Sequence, residues 1–386
     1  MKSTAKNKMR ICLVEGIDPS YLGGISRYVN NLLPALKDLD VTWIYRGNQD
    51  KEYLKDNVKY IEIKTPKIQL LNDFIFNYKC KKFLEKENFD LINSHATWGF
   101  WMKRYSREKK QRIIHTYHGS TYFFFKNHLK RYGFLKKTVL SPILVQSKII
   151  EKPPWDNADR IICVSNHLQK ELEILYGKRK EIHVLRTGVD LKSFKVCSRL
   201  NARKFLDLES KKKYGLYVGR GGFWTKGLDK VIQLSEEMHR EDPDYTLLVV
   251  GADESRAGDM LKKNFIQVFP PADRQKLPYY YNAADVFFSM SRCEGGAPTM
   301  VTSEAMASGC LIVTNREANQ EIFSDGRNGI VLSRDYQFEA RRMLGILRNS
   351  KEKNFLISNS LKTIKKLSIE SWREEYLKIL GVPNEK

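Results

Sequence analysis

ADVFFSMSRCEGGAPTMVTSEAMASGCLIVTN runs from Ala284 to Asn315. ADVFFSMS and CLIVTN at its two ends are short apolar runs that read as strands. Between them EGGAPTMVTSEAMASG reads as a loop opening a helix. Strand, helix, strand at this spacing is a parallel crossover unit. The helix start falls near Pro298 or Thr299: proline suits a first turn, and threonine can cap it. The amides of Thr299, Met300 and Val301 would then form an anion site at the positive helix end. Glu304 lies one to two turns on, flanked by Ala305, Met306 and Ala307. A carboxylate there can accept two ribose hydroxyls while phosphates sit at the helix start. The alternative is a solvated helix residue. Glu294, on the loop, can reach sugar hydroxyls.

The same alternation extends in both directions. YGLYVGR reads as a strand ending at Arg220, TKGLDKVIQLSEEM as a helix, and YTLLVVGAD and FIQVFP as strands. Arg220 and Lys226 flank GGFWT at a strand terminus, where a fixed fork and a mobile ammonium suit a diphosphate. Two surface cations are the bland alternative. In the first half, Met9–Val14, Val41–Tyr45 and Val58–Ile63 read as strands, FDLINSH ends one at His95, and QRIIHTYHGS ends one near His118. Ile25, Tyr28, Val29, Leu32, Leu33 and Leu36 recur at helical spacing. ADRIICVS precedes a helix that Asn166 would cap. Gly23 and Gly24 sit between strand and helix, where small residues admit a phosphate or simply give a tight connection. They are not a GxGxxG fingerprint, which lowers an oxidoreductase reading. Residues from about Asp190 to Lys213 read as a polar connector. The class is therefore α/β, with two Rossmann-like domains facing a central cleft, at 1–190 and 191–365. Residues 366–386 form a C-terminal helix expected to pack back toward the first domain.

The chain has 386 residues and a net charge of 67 − 45 = +22. Its composition is that of a globular protein, with no spanning apolar run and no signal peptide at MKSTAKNK. The six cysteines (Cys12, Cys80, Cys163, Cys197, Cys293, Cys310) stand in no CxxC spacing and read as reduced thiols of a cytoplasmic protein. No metal-ligand spacing is visible, so no metal is expected. Asp38-Leu39-Asp40 and Asp242-Pro243-Asp244 are read as turn residues. Charge is uneven: 101–152 holds 13 Lys/Arg against 2 Asp/Glu. Phe125, Leu129 and Tyr132, with Lys126, Lys130, Arg131 and Lys137 elsewhere on the wheel, fit one basic amphipathic helix on an anionic membrane surface. Phe123, Phe124 and Phe125 would add apolar insertion. A solvated face is the alternative. Nucleic acid is not expected, since no module signature is present.

VGRGGFWTKGLD, NAADVFFSMSRCEGG, TSEAMASGC and SDGRNGIVL resemble the C-terminal domain of the GT-B glycosyltransferases of family 4. GGISRYV, HTYHGS, ADRIICVS and RTGVD resemble that family's N-terminal domain, in the family's order. The resemblance implies a metal-independent, retaining hexosyltransferase without a cofactor, its nucleotide-diphospho-sugar being a substrate. It places Arg220 and Lys226 on the diphosphate, Glu304 on the ribose, Gly24 near the phosphates and His118 beside the donor sugar. His95 and His115 are structural or cleft-lining. Glu294 and Glu304 are separated by nine residues where the family usually has seven. This leaves Glu294 and backbone amides near Gly296 and Ala297 as alternatives for placing the sugar. The acceptor expected is a glycan or lipid-linked precursor of a surface polysaccharide, met at the inner face of the cell membrane. The other readings are a non-catalytic nucleotide- or glycan-binding protein on the same fold, or an epimerase or phosphorylase.

Overall fold

The computed structural model describes residues 8–21, 23–66, 68–105, 111–219, 223–252, 258–292, 294–317, 321–333 and 335–382. The chain divides into two compact units, Met1–Arg186 with Trp372–Lys386, and Thr187–Ser371. The boundaries expected from sequence were 190/191 and 365/366.

The first unit is built on β1 (Arg10–Val14), β2 (Asp40–Gly47), β3 (Lys51–Lys55), β4 (Val58–Lys64), β5 (Leu91–His95), β6 (Arg112–Tyr117), β7 (Arg160–Cys163) and β8 (Ile182–Val184). They lie in the order β3-β4-β2-β1-β5-β6-β7-β8. Ile11, Cys12, Leu13 and Val14 are all fully buried. Helices cover both faces of a parallel sheet, so such strands read as unbroken apolar runs. β3 is absent from the sequence reading. It pairs antiparallel with β4 across a turn in which Asp56 and Asn57 take positive φ (49° and 60°). KEYLK is a charged edge strand with no apolar run to reveal it.

Helices α1 (Gly24–Leu32), α2 (Gln69–Lys86), α3 (Thr121–Leu129), α4 (Phe134–Leu140), α5 (Pro142–Asn157) and α6 (Asn166–Tyr176) complete most of this unit. Two expectations are corrected. The single helix expected through 125–137 is broken: Gly133, at ψ 167°, ends one turn system and caps α4. Ser165, not Asn166, caps α6, its hydroxyl accepting from the Leu168 amide at 2.9 Å.

The second unit has β9 (Lys213–Val218), β10 (Tyr245–Val250), β11 (Ile266–Phe269), β12 (Val286–Ser289), β13 (Leu311–Thr314) and β14 (Ile330–Val331), all parallel, in the order β11-β10-β9-β12-β13-β14. The order reverses between β9 and β12. Loops leaving the carboxyl ends of those two strands diverge there and open a crevice. Side chains of β12 alternate between two cores. Val286 and Phe288 pack with Val231, Leu234 and Met343, while Phe287 packs with Leu216, Tyr281 and Met306.

The stretch read as a polar connector contains α7 (Arg199–Phe205). The Arg203 guanidinium is buried and donates to Asp285 Oδ2 at 2.8 Å and to the Ala283 carbonyl at 3.0 Å. Asp285 also accepts from Arg199 at 2.8 Å and from the Tyr214 amide at 3.0 Å. Of the two DxD patterns, Asp242 is held by Lys213 (2.9 Å) and Arg348 (3.2 Å), and Asp40 lies 3.5 Å from Arg10. Helices α8 (Leu228–Glu241), α9 (Leu277–Ala283), α10 (Met300–Ala307), α11 (Tyr336–Arg348), α12 (Ser350–Lys365) and α13 (Ile369–Leu380) follow. In α13, Trp372, Tyr376, Ile379 and Leu380 are buried at helical spacing. Arg373 there donates to the Asn31 carbonyl at 2.7 Å.

Asp285→Ala leaves the Arg203 charge buried without its partner. It should cost about 3–5 kcal/mol in urea unfolding of the second unit. A loss below about 1 kcal/mol would show that the pair does not hold α7 to the sheet.

Candidate functional site

Two loops leave the carboxyl ends of β9 and β12. The first contains Phe223–Lys226 and ends at Gly227, which caps α8 at φ 72°. A Cβ on Gly227 would lie 1.9 Å from the Met290 carbonyl oxygen, so only glycine lets the loops meet. Arg292 ties them further. Its amide donates to the Thr225 carbonyl at 2.8 Å. Its guanidinium donates twice to Asp229, at 2.7 and 2.7 Å, and to the Trp224 carbonyl at 2.6 Å. It also lies over the Trp224 ring. Arg292 and Asp229 carry no signal in the sequence, because they are 63 residues apart.

The clamp brings Lys226 Nζ into an ion pair with Glu294 Oε1. Two residues assigned separately from sequence are thus in contact. Arg220 lies outside the described residues. Downstream, Gly296 takes φ 77°. Thr299 caps α10: its hydroxyl accepts from the Thr302 amide (3.3 Å) and lies 2.8 Å from Thr302 Oγ1, which is 2.9 Å from Ser289 Oγ. The cap and β12 therefore hold the helix start in place, with Met300 and Val301 in its first turn. Glu304 is buried among the helices, and the Tyr281 hydroxyl donates to its Oε2 at 2.9 Å. It is not a solvated helix residue. Tyr281, on α9, is a partner that local spacing does not show.

In the first unit, neither Gly23 nor Gly24 takes positive φ. A Cβ on Gly24 would meet nothing within 4 Å, so open space lies above the start of α1. His118 follows β6. Its Nε2 shares a hydrogen bond with His95 Nδ1 at 3.1 Å, and Tyr28 meets its ring edge-on at 4.6 Å. Tyr28 in turn meets Trp372 at 4.8 Å. The Tyr376 hydroxyl donates to Asn93, and His115 Nδ1 lies 2.7 Å from Ser94 Oγ. Burial pushes His118 and His115 down to about 3 and His95 well below the usual histidine range. All three imidazoles are neutral at pH 7.

Two buried acids were missed. Glu15 ends β1 with its Oε1 accepting from Ser26 at 3.0 Å, and burial pushes it up to about 8. Glu151 accepts from the Thr121 amide (2.7 Å), Tyr176 (2.9 Å) and Ser120 (3.1 Å), and burial pushes it up to about 7. The signal for Glu15 was a lone acid closing the run ICLVE.

Residues 22–193 match the family described as Glycosyltransferase Family 4, and residues 198–363 match Glycosyl transferases group 1. The chain is 25% identical over 371 residues to the uncharacterized glycosyltransferase MJ1178 of Methanocaldococcus jannaschii, covering 93% of this chain and 94% of that protein. It is 23% identical to the UDP-Gal:alpha-D-GlcNAc-diphosphoundecaprenol alpha-1,3-galactosyltransferase of Escherichia coli, covering 73% of this chain and 72% of that one. Among solved structures, a sucrose-phosphate synthase from Thermosynechococcus elongatus superposes with a TM-score of 0.80 at 20% identity, covering 96% and 98% of the two chains.

A carboxyl raised in the folded state holds extra protons between its unfolded and folded values. Stability is therefore highest below about 4.5 and falls as pH rises through about 8 for Glu15 and about 7 for Glu151. Each contributes a slope of up to about 1.4 kcal/mol per pH unit. Glu15→Gln should flatten urea-unfolding free energies of the first unit between about pH 5 and pH 8, where it would otherwise decline. An unchanged slope would show that Glu15 is ionised in the fold.

Proposed function

The chain belongs to the GT-B glycosyltransferases of group 1, and on that premise we propose that it transfers a sugar from a nucleotide diphosphate to an acceptor hydroxyl with retention at the anomeric carbon. The observation that carries this is the pairing of the clamped Lys226–Glu294 loops with the Thr299-capped start of α10 and the buried Glu304 on the same helix. Negative charge grows on the phosphates as the glycosidic bond breaks. Lys226 and the amides of Met300 and Val301 take up that charge, with Arg220 as the second cation. Glu304 accepts the ribose hydroxyls, so that Tyr281 orients its carboxylate. Gly24 leaves room for the phosphates to approach α1. Glu294, or an amide near Gly296, holds the transferred sugar.

In this reading the acceptor oxygen attacks the anomeric carbon on the face from which the diphosphate departs. The new carbon–oxygen bond forms as the old one breaks, and the acceptor proton passes to the leaving phosphate. His118, being neutral, acts as a hydrogen-bonding group toward the transferred sugar rather than as an acid. The reaction is proposed to need no metal, because these cations and amides do the electrostatic work. Among the described residues, no group of three His, Cys, Asp or Glu could hold a metal ion.

We propose a lipid-linked or surface-glycan precursor as acceptor, met at an anionic membrane from the cytoplasmic side. The Escherichia coli relative, a UDP-Gal:alpha-D-GlcNAc-diphosphoundecaprenol alpha-1,3-galactosyltransferase, supports that class. No described helix is long and apolar enough to cross a membrane, so the contact proposed is peripheral.

A screen of UDP-, GDP- and ADP-sugars by thermal shift, then radiolabelled turnover on the best donor, tests the reading. No stabilisation and no turnover with any donor would overturn it. Glu304→Ala should weaken nucleotide affinity about tenfold to a hundredfold, matching about 1.5–3 kcal/mol for hydrogen bonds to a charged group. Unchanged affinity with an intact fold, measured by calorimetry, removes Glu304 from the site. Lys226→Ala should lower kcat more than it raises acceptor KM. Activity should persist in EDTA; loss restored by magnesium or manganese would replace the cation mechanism with a metal-assisted one.

A further inference from the structure

Helix α4 is unusual in this fold, because it buries none of its residues. Phe134, Leu135 and Val139 are 83%, 81% and 76% exposed. By contrast Phe124 is 40% exposed, and its neighbours Phe123 and Phe125 are half-buried. The apolar surface therefore lies one helix later than the sequence suggested. It continues into α5. Pro142, Val145 and Ile149 share one helical face there and, with Phe74 of α2, line an apolar groove of about 520 Å³. Leu71 and Tyr78, on the Phe74 face of α2, are also exposed.

Charge along this segment has one sign. From Thr121 to Ile150 there are six Lys/Arg and no Asp or Glu. Several of these bases lean on rings: Lys126 over Phe123 at 5.4 Å, Arg131 and Lys136 over Tyr132 at 4.4 and 4.6 Å, and Lys148 over Tyr122 at 4.7 Å. An exposed apolar helix flanked by cations complements a surface that is anionic outside and hydrocarbon within. A protein partner would need acidic side chains around an apolar pocket, and nothing here selects one.

We propose that α4, together with the groove between Phe74 and α5, is the element that enters the acyl boundary of an anionic bilayer. The proposal rests on the membrane reading above and assigns it to Phe134, Leu135 and Val139 instead of Phe123–Phe125. Two forces then act on separable side chains. The bases supply attraction that salt screens, and α4 supplies insertion that salt leaves intact.

The test is co-sedimentation of the full chain with vesicles of phosphatidylcholine and phosphatidylglycerol at low and high salt. The variant Phe134→Ser/Leu135→Ser/Val139→Ser should lose about tenfold or more of its partitioning and all of the salt-resistant fraction. These side chains are exposed, so its melting temperature should match the wild type. Val145→Asp, placing an anion in the groove, should weaken binding without touching α4. Leu135→Trp should add emission that acyl-brominated lipids quench, above the constant background of native tryptophans. Replacing Lys126, Lys130, Arg131, Lys136 and Lys137 by Gln tests the membrane reading itself. If that variant loses binding while the triple serine variant keeps it, the bilayer contact stands and α4 is not the inserting element. If the wild type ignores these vesicles at low salt, both ideas fall. A triple variant that turns a dimer into a monomer, with no vesicle binding by the wild type, would make this face a contact between copies and overturn the proposal.

Discussion

The candidate donor site depends on one steric constraint and the clamp that uses it. Gly227 takes φ 72° with the Met290 carbonyl in the space a Cβ would fill. That close approach of loops from β9 and β12 lets the Arg292 fork span Asp229, the Trp224 carbonyl and the Trp224 ring. Arginine's planar geometry is needed, since a lysine could offer only a point charge to one of these partners. With the loops locked, Lys226 and Glu294 meet although 68 residues separate them. Lys226 is thereby positioned by the fold itself, which would leave little ordering for a ligand there to accomplish.

Much of the architecture was legible because parallel strands covered on both faces are continuous apolar runs. VFFS and LIVT announce themselves, and the loops following such strands mark where ligands sit. The helix start at Thr299 was legible for a local reason: capping is a short-range preference. What escaped the reading is what depends on distant partners or on exposure. β3 is a charged edge strand, and α7 hides in a polar stretch because its anchor, Arg203 on Asp285, is 82 residues away in sequence. Glycine at 133 breaks a helical pattern that the apolar spacing alone continues. Tyr281 beneath Glu304, and Tyr28 and Trp372 near His118, are invisible for the same reason.

The two units treat buried charge differently. The second holds Lys226 against Glu294 and caps the start of α10 with Thr299. The first buries three histidines and the Glu15 carboxyl without a charged partner among the described residues. His95 and His118 stack on each other with Tyr28 edge-on to both, and burial holds these imidazoles and that of His115 neutral. Glu15 follows β1, and burial outweighs its Ser26 hydrogen bond, pushing the carboxyl up to about 8. A neutral imidazole can offer one hydrogen bond and accept another without adding charge to the interior.

Glu151 explains how the first unit can carry an unpacked apolar helix on its surface. It stands at the edge of the basic stretch, buried, and its carboxylate takes the Thr121 amide and the Ser120 hydroxyl at the start of α3. The Tyr117 hydroxyl holds the Glu151 carbonyl at 2.7 Å, and Tyr176 reaches the carboxylate from α6. One buried residue thus joins β6, α3, α5 and α6. The anchoring of the segment lies at this inner end, where Glu151, the one acid between Thr121 and Lys152, is buried. Farther out, α4 has no packing duty toward its own unit. Its apolar side chains cost solubility where they stand, and the cations beside them offset that cost by keeping copies of the chain apart. Like charge beside an exposed apolar helix opposes association of copies, and it is this same charge that the anionic surface proposed above would complement.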